Sequence, residues 1–337
     1  MKREKGQPWL SKQANINNNN NQNMRKSAKH KEVPADPIDK TTVNIRGDKW
    51  DQAGLRELLA GKHRKLFSGV SKYQDIKAVE VVDIRLYLNE QLQFSTLDER
   101  IYHEAFVHIP MALINSRRNV LILGGGDGLA LREVLKYSDV NHVDLVDLDD
   151  MVLNIFRHVP ELAKINDHAF FDKRVHVYAE DALKFISQCK EKYDLIILDF
   201  PDPSIELLAN LYTVEFFKQV KGVLSDEGML VCQANALDET PIVFWSIGRT
   251  LEAANLYTAA YHTIIPSFGD WGFHLASKES IKTHIRNIHV SHRALPKDLN
   301  SVFVINNRLL SFKKKAVINS VEHLVLHKIF QQEVGQI

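Results

Sequence analysis

Acidic side chains follow four successive apolar runs in this chain, at the positions where the strands of a parallel sheet would end. Asp127 lies in Gly124-Gly-Gly-Asp-Gly128, directly after Val120-Leu-Ile-Leu123. Asp147 closes His142-Val-Asp-Leu-Val-Asp147, and Asp181 follows the run at Val175–Val177. Asp199 and Asp202 follow Leu195-Ile-Ile-Leu198 in the segment Asp199-Phe-Pro-Asp-Pro203. A lone aspartate at a strand end is usually a helix cap, but capping is a poor account of all of these together. Open α/β sheets bind ligands outside the carboxyl ends of their strands. The pattern therefore predicts a pocket lined with carboxylates, which favours a cationic ligand.

The glycines narrow the chemistry. A strand, a glycine turn and a helix N-terminus form a nucleotide platform, although a purely structural turn has the same outline. The spacing Gly124, Gly126, Gly128 fits G-x-G-x-G, and Leu129 stands where a dinucleotide fingerprint needs glycine or alanine. A pyrophosphate cradle is disfavoured, and an adenosyl-sulfonium site suits the pattern. Asp147, about twenty residues on, can meet ribose hydroxyls, and Asp181 can accept from an adenine amino group. Asp127 would lie near the amino-acid end of S-adenosylmethionine. A carboxylate there repels the methionine carboxylate and welcomes the bare ammonium that decarboxylation leaves. The Asp199/Asp202 pair then suits a second cation, a polyamine. Its amine, with a free pKa near ~10, must lose a proton before it attacks, so a base is required.

Alternating strands and helices must position these groups. Strand patterns at Val120–Leu123, His142–Val146, Val175–Val177, Leu195–Leu198 and Met229–Cys232 alternate mostly with helical stretches. That order predicts an α/β fold with a mostly parallel sheet and helices on both faces. Thr258–Ile265 and Phe273–Ala276 should close one edge as an antiparallel hairpin. Before them, Thr96-Leu-Asp-Glu99 has the form of a capping box. It predicts a helix over 98–113 with Tyr102, Phe106, Ile109 and Leu113 on one face and His103 and Glu104 beside Tyr102. Upstream, helical spacing covers 48–67, a strand covers 73–82, and Ile84–Leu88 and Leu92–Phe94 flank Asn89-Glu90 as a hairpin. The expected division is a low-complexity disordered tail over 1–40, a small β domain over 41–97 and the large domain over 98–337. The segment from about Lys282 mixes helix and strand signals and is assigned no function.

Composition limits the remaining classes. The 337 residues carry a formal charge of +1, so no bulk electrostatic case for nucleic acid arises. The tail over 1–40 is somewhat basic, but a solvated tail accounts for it. Cys189 and Cys232 are the two cysteines, and their apolar surroundings fit small core residues in a reducing compartment. No apolar run is long enough to span a membrane, and none follows Met1-Lys-Arg-Glu-Lys5, so a cytoplasmic protein is expected. His289-x-x-His292 lacks a nearby acid or cysteine to complete a metal site.

These residues resemble a known family, the polyamine aminopropyltransferases, spermidine synthase and its relatives. The likeness spans about residues 71–277 and rests on an ordered set of segments. They are Tyr73-Gln-Asp-Ile76, Leu92-Gln93, Asp98-Glu99, Tyr102-His-Glu104, Gly124–Gly128, Asp199–Pro203, Leu211-Tyr212, Gln233 and Trp271-Gly-Phe273. The resemblance implies a Rossmann-like, methyltransferase-type domain carrying a small N-terminal β domain, assembled as homodimers or homotetramers. It implies transfer of an aminopropyl group from decarboxylated S-adenosylmethionine, a co-substrate, to an amine such as putrescine, with no metal and no resident cofactor. By resemblance, Gln74, Asp127, Asp147 and Asp181 hold the donor, and Asp199 takes the amine proton. Tyr102 and Asp202 position the amine, with Gln93 and Gln233 as supporting candidates. His103, where common spermidine synthases carry Gln, and the segment Ile265–Phe273 depart from the usual pattern, both on the amine side. Both departures resemble a bacterial branch whose members often carry membrane helices. A methyltransferase of the same fold and a silent polyamine-binding protein are the alternative readings; Asp127 argues against the first, and the retained Asp199 and Asp202 against the second.

Overall fold

The computed structural model describes residues 46–335, so the tail expected over 1–40 lies outside the described residues. Asp48 opens helix α1 (Lys49–Ala60), its carboxylate accepting from the amides of Trp50 and Asp51 at 2.7 and 2.8 Å. The helical reading over 48–67 holds only for this first part. Gly61 closes the helix, its amide donating to Glu57 and Leu58 carbonyls. Arg64–Val70 is instead strand β1, paired antiparallel with β2 (Asp75–Glu80). β3 (Ile84–Leu88) and β4 (Gln91–Ser95) complete a four-stranded antiparallel sheet in the order β1-β2-β3-β4. Asn89 and Glu90 join β3 to β4 with φ of 50° and 66°, the left-handed pair that a two-residue hairpin of matching twist requires.

Helix α2 (Glu99–Leu113) begins where expected, but the capping box does not form. Thr96 Oγ accepts from the Ile84 amide at 2.9 Å, and Glu99 turns inward to Arg132 and His103. Asp98 reaches Ser267, accepting from its amide at 2.8 Å and its hydroxyl at 2.6 Å. Long-range partners outcompete the local motif. α2 is buried along most of its length, with Phe106 and Ile109 fully enclosed; each such side chain stabilises the fold by about 1.5–3 kcal/mol.

The large domain then alternates as expected: β5 (Asn119–Gly124), α3 (Leu129–Val134), β6 (His142–Asp147), α4 (Asp150–His158), α5 (Pro160–Ile165) and β7 (Val175–Ala179). It continues through α6 (Ala182–Gln188), β8 (Tyr193–Asp199), α7 (Glu206–Ala209), α8 (Val214–Val223), β9 (Leu224–Ala236) and α9 (Pro241–Ala253). β10 (Tyr257–Ile265) and β11 (Gly269–Ser277) follow, then α10 (Asn307–Leu310) and α11 (Leu326–Val334). The seven strands lie in the order β10-β11-β9-β8-β5-β6-β7. β5 to β9 run parallel, and the β10–β11 hairpin is antiparallel at one edge. One apolar cluster joins α2, α3 and α4 to one face of the sheet, and another joins α6, α8 and α9 to the other. This is the mixed α/β, methyltransferase-like architecture expected, with a separate small antiparallel sheet before it.

From β5 the chain moves outward through β6 and β7, then returns to β8 on the other side of β5. The topological switch point thus lies between β5 and β8, where such folds open a ligand crevice. Beyond Ser277 no further strand forms among the described residues, yet the segment is built into the core. Ile285, Ile288 and Val302 join one apolar cluster, and Leu309, Ala316 and Leu326 join the other.

Candidate active site

The glycine turn and Asp199 meet across the switch point, since Gly124 is the register partner of Asp199 between β5 and β8. Gly124 has φ of 84°, and a Cβ there would run into the Asp199 carbonyl, so no other residue fits. At Gly126 a Cβ would sit 2.7 Å from Asp147 Oδ2. Without it, the Gly126 amide donates to that oxygen at 2.9 Å, which fixes the acid of β6 against the turn. Asp147 Oδ1 also accepts from the Asp149 amide at 2.9 Å. Asp127 Oδ1 accepts from the Leu129 amide at 2.8 Å and so starts α3.

Asp127, Asp147 and Asp199 are half-buried at or just past the carboxyl ends of β5, β6 and β8, and Asp202 is buried in the turn after β8. Removal from bulk water raises all four carboxyls. Asp127, Asp147 and Asp202 are each pushed up to about 6, and Asp199 is raised as well. Neighbouring acids add to this: Asp199 raises Asp127, Asp127 raises Asp147 and Asp147 raises Asp199, while the His103 ring pulls Asp127 and Asp199 down. Asp127, Asp147 and Asp199, coupled in this way, are costly to ionise without cations between them.

Helix α2 supplies the opposing wall. Tyr102 Oη donates to Asp199 Oδ1 at 2.7 Å. The ring packs against Phe106 and Phe273 at centroid distances of 5.2 and 5.3 Å, with Trp271 at 6.2 Å. His103 is buried edge-on to Tyr102, 4.9 Å between centroids. Its Nδ1 contacts the Glu99 carbonyl at 2.8 Å and Glu99 Oε2 at 2.9 Å. Burial alone would lower the imidazole pKa, but the Glu99 carboxylate outweighs it and the net shift is upward. Glu99 is itself gripped by both terminal nitrogens of Arg132, each at 2.9 Å. His103 therefore anchors locally, and its charge is still felt at Asp127 and Asp199.

The Asp199–Pro203 turn is braced from behind. Gln233 Nε2 donates to the Phe200 carbonyl at 2.6 Å and to Tyr212 Oη at 2.8 Å; Tyr212 in turn donates to the Pro201 carbonyl at 3.0 Å. The side chain that reaches Asp202 from the small sheet is Gln91, with Nε2 3.0 Å from Oδ2. Gln93 stands one step removed, donating to the Gln91 carbonyl at 3.2 Å. The register slips by one residue between Tyr87↔Leu92 and Leu86↔Phe94, so Gln93 is the extra residue of a bulge.

Gln74 donates to Asp149 Oδ2 at 2.8 Å and accepts from Arg46 at 2.6 Å. Asp149 caps α4 and also accepts from Ser71 Oγ at 2.6 Å, tying the small sheet to the end of β6. Asp181 is exposed and caps α6, accepting from the Leu183 amide at 2.8 Å. Sequence reasoning missed Arg46, Gln91, Asp149 and the Glu99–Arg132 clamp. Asp149 carried a legible signal, an acid two residues past a strand end and directly before a helix. Among the described residues, no trio of metal-ligating side chains includes His289 or His292. No helix among them is long and apolar enough to cross a membrane.

Residues 99–287 match the model of the spermine/spermidine synthase domain. Polyamine aminopropyltransferase 2 of Bacillus cereus is 50% identical over 291 residues, covering 85% of this chain and 80% of the relative. The Bacillus anthracis protein of the same name is 47% identical over 302 residues, covering 88% and 83%. Among solved structures, spermidine synthase from Thermotoga maritima superposes with a TM-score of 0.68 at 25% identity, covering 75% of this chain and 88% of that one. A spermidine synthase crystallised with the transition-state analogue AdoDATO shares the fold, with a TM-score of 0.69 at 24% identity, covering 75% and 89%.

Proposed function

We propose, from the premise that this chain belongs to the spermine/spermidine synthase family and is a polyamine aminopropyltransferase, that its donor is decarboxylated S-adenosylmethionine and its acceptor putrescine. The products are then spermidine and methylthioadenosine. The observation that carries this reading is the cluster of Asp127, Asp147, Asp199 and Asp202 at the switch point, with Tyr102 bonded to Asp199. Such a cleft takes two cationic ligands and gains from each.

In this reading Asp147 receives the ribose and Asp127 the free ammonium of the donor, with Gln74 and Asp181 at the ribose and adenine ends. Asp202, Gln91 and Tyr102 hold the diamine, with Gln93, Gln233 and His103 behind them. The amine nitrogen lone pair forms a bond to the aminopropyl carbon beside the sulfonium. The carbon–sulfur bond breaks and its electron pair goes to sulfur, which leaves as a neutral thioether. No acid is needed for that leaving group. Asp199 takes the proton that the amine must shed, and burial raises its carboxyl pKa, which favours proton uptake. The rest of the rate gain comes from holding two mutually repelling cations in line.

Product analysis tests the assignment. Purified protein is incubated with either donor, intact or decarboxylated, and with putrescine, spermidine or cadaverine. Spermidine formed only from the decarboxylated donor, with putrescine preferred, is the expected result. Preference for a longer amine would move the acceptor assignment, and methylated product would overturn the donor.

A further inference from the structure

Three side chains that the transfer leaves unused converge at the opposite rim of the sheet. His142 and Asp144 are two residues apart on β6 and share a face. His176 on β7 is the register partner of Asp144. His142 Nε2 lies 2.9 Å from Asp144 Oδ2, and His176 Nδ1 lies 4.0 Å from Asp144 Oδ1. The two imidazole centroids are 4.6 Å apart. One ligand atom from each residue falls within 4.8 Å of the other two.

Asp144 is the informative member. It is 3% exposed. Its Oδ2 accepts from the buried Tyr193 hydroxyl at 2.6 Å, while its Oδ1 has no hydrogen-bond partner of ordinary geometry; the Tyr178 hydroxyl is a further neighbour of the carboxylate. A buried carboxylate oxygen without a partner is unfavourable and calls for an explanation. Here that oxygen faces the His176 ring on the half-exposed side, where a cation could enter.

We propose that His142, Asp144 and His176 bind a divalent transition-metal ion of the zinc class. Two imidazoles and one carboxylate suit zinc and its neighbours rather than magnesium or calcium, which take oxygen ligands. Tyr193 orients the carboxylate from behind, as outer partners do around such ions. Zinc–ligand bonds of about 2.0–2.1 Å place tetrahedral ligands roughly 3.4 Å apart, so the exposed His176 ring needs to swing inward by about 1 Å. The site lies toward the start of β6, about 10 Å of strand from Asp147, and touches no reacting group. Its effect is to clip β7, the outermost strand, to β6.

The test uses the full chain without a polyhistidine tag, stripped of metal and titrated with zinc and with cobalt. One zinc per chain at micromolar affinity or tighter is expected, with visible cobalt absorption and a higher melting temperature when metal is present. His142→Ala and His176→Ala should each weaken zinc by at least about a hundredfold, and Tyr193→Phe by about 10–100-fold, the scale of an outer partner. Aminopropyl transfer by the two histidine variants should stay at the wild-type level, which shows that they fold. If the wild type binds no metal, or the double histidine variant keeps its stoichiometry and affinity, the proposal is overturned.

Discussion

Replacing Tyr102 with phenylalanine should move the acid limb of the kcat–pH profile upward by about 1–2 pH units. Tyr102 Oη donates to Asp199 Oδ1 at 2.7 Å, inside a cleft whose low solvation already raises that carboxyl. The ionised carboxylate is the form that accepts this bond, so removing it disfavours ionisation further. A hydrogen bond to a charged group contributes about 1.5–3 kcal/mol, and one pKa unit corresponds to about 1.36 kcal/mol, which gives the shift. The base works only when ionised, so a higher Asp199 pKa makes activity fall away at higher pH than in the wild type. At high pH the variant should recover to within about tenfold of the wild type, because the base itself remains. The assay is single turnover at saturating donor and amine between about pH 5 and 9. Bound cations lower the carboxyl pKa in both proteins, so the difference between them survives saturation. Coincident limbs would refute the coupling of Tyr102 to the base.

Asp199→Asn should cut turnover by roughly 10²–10⁴-fold with donor affinity little changed in calorimetry; near-normal single-turnover rates would place the base elsewhere. Donor affinity should fall on acidification as Asp127 and Asp147 protonate near about 6, by about tenfold per pH unit for each group well below that value; Asp127→Asn should also narrow the preference for decarboxylated over intact donor, and equal wild-type affinities for the two would sink the aminopropyl reading of Asp127. Amine KM should rise as pH falls through the raised His103 pKa, and His103→Gln should flatten that rise while keeping activity with putrescine; superimposable curves would show that His103 does not act on the acceptor. Glu99 supports acid stability: burial works against its ionisation, but bonds to His103 and Arg132 hold its carboxyl down at about 2. Its contribution, about 3 kcal/mol, is present above the unfolded value near ~4.3 and is lost as pH falls from there through about 2. Glu99→Gln should shrink the difference in denaturant stability between pH 5 and pH 3, and an unchanged difference would show the clamp to be electrostatically idle.

The large sheet was legible because its inner strands are buried on both faces and therefore run apolar without a break, as in Val120–Leu123 and Leu195–Leu198. The turn at Gly124 was legible because only glycine satisfies both its φ and its contact with Asp199. β1 was not, since Arg64–Val70 is a half-exposed edge strand with bulged pairing, and Leu66 and Phe67 follow on from the helical spacing of α1. The capping box misled because Thr96 and Glu99 find partners far away in sequence. Asp181 follows β7 as the strand-end rule expects, and its exposed carboxylate also caps α6. Gln91 outranked Gln93 as the partner of Asp202 through a bulge, which shifts a strand by one residue and leaves no mark in composition.

Glu104, next to Tyr102 and His103 on α2, is fully buried, and its carboxylate accepts from the Arg293 amide at 2.9 Å and the Ala294 amide at 2.7 Å. The family match stops at residue 287, short of both donors. A chimera that grafted the matched segment onto another relative's ends would leave this buried carboxylate only Arg100, 4.0 Å away, unless the new ends brought backbone amides to the same place. The stretch around 293 and α2 therefore form one packing unit although some 190 residues of chain separate them, and a swap of α2 is best made with that stretch kept in place.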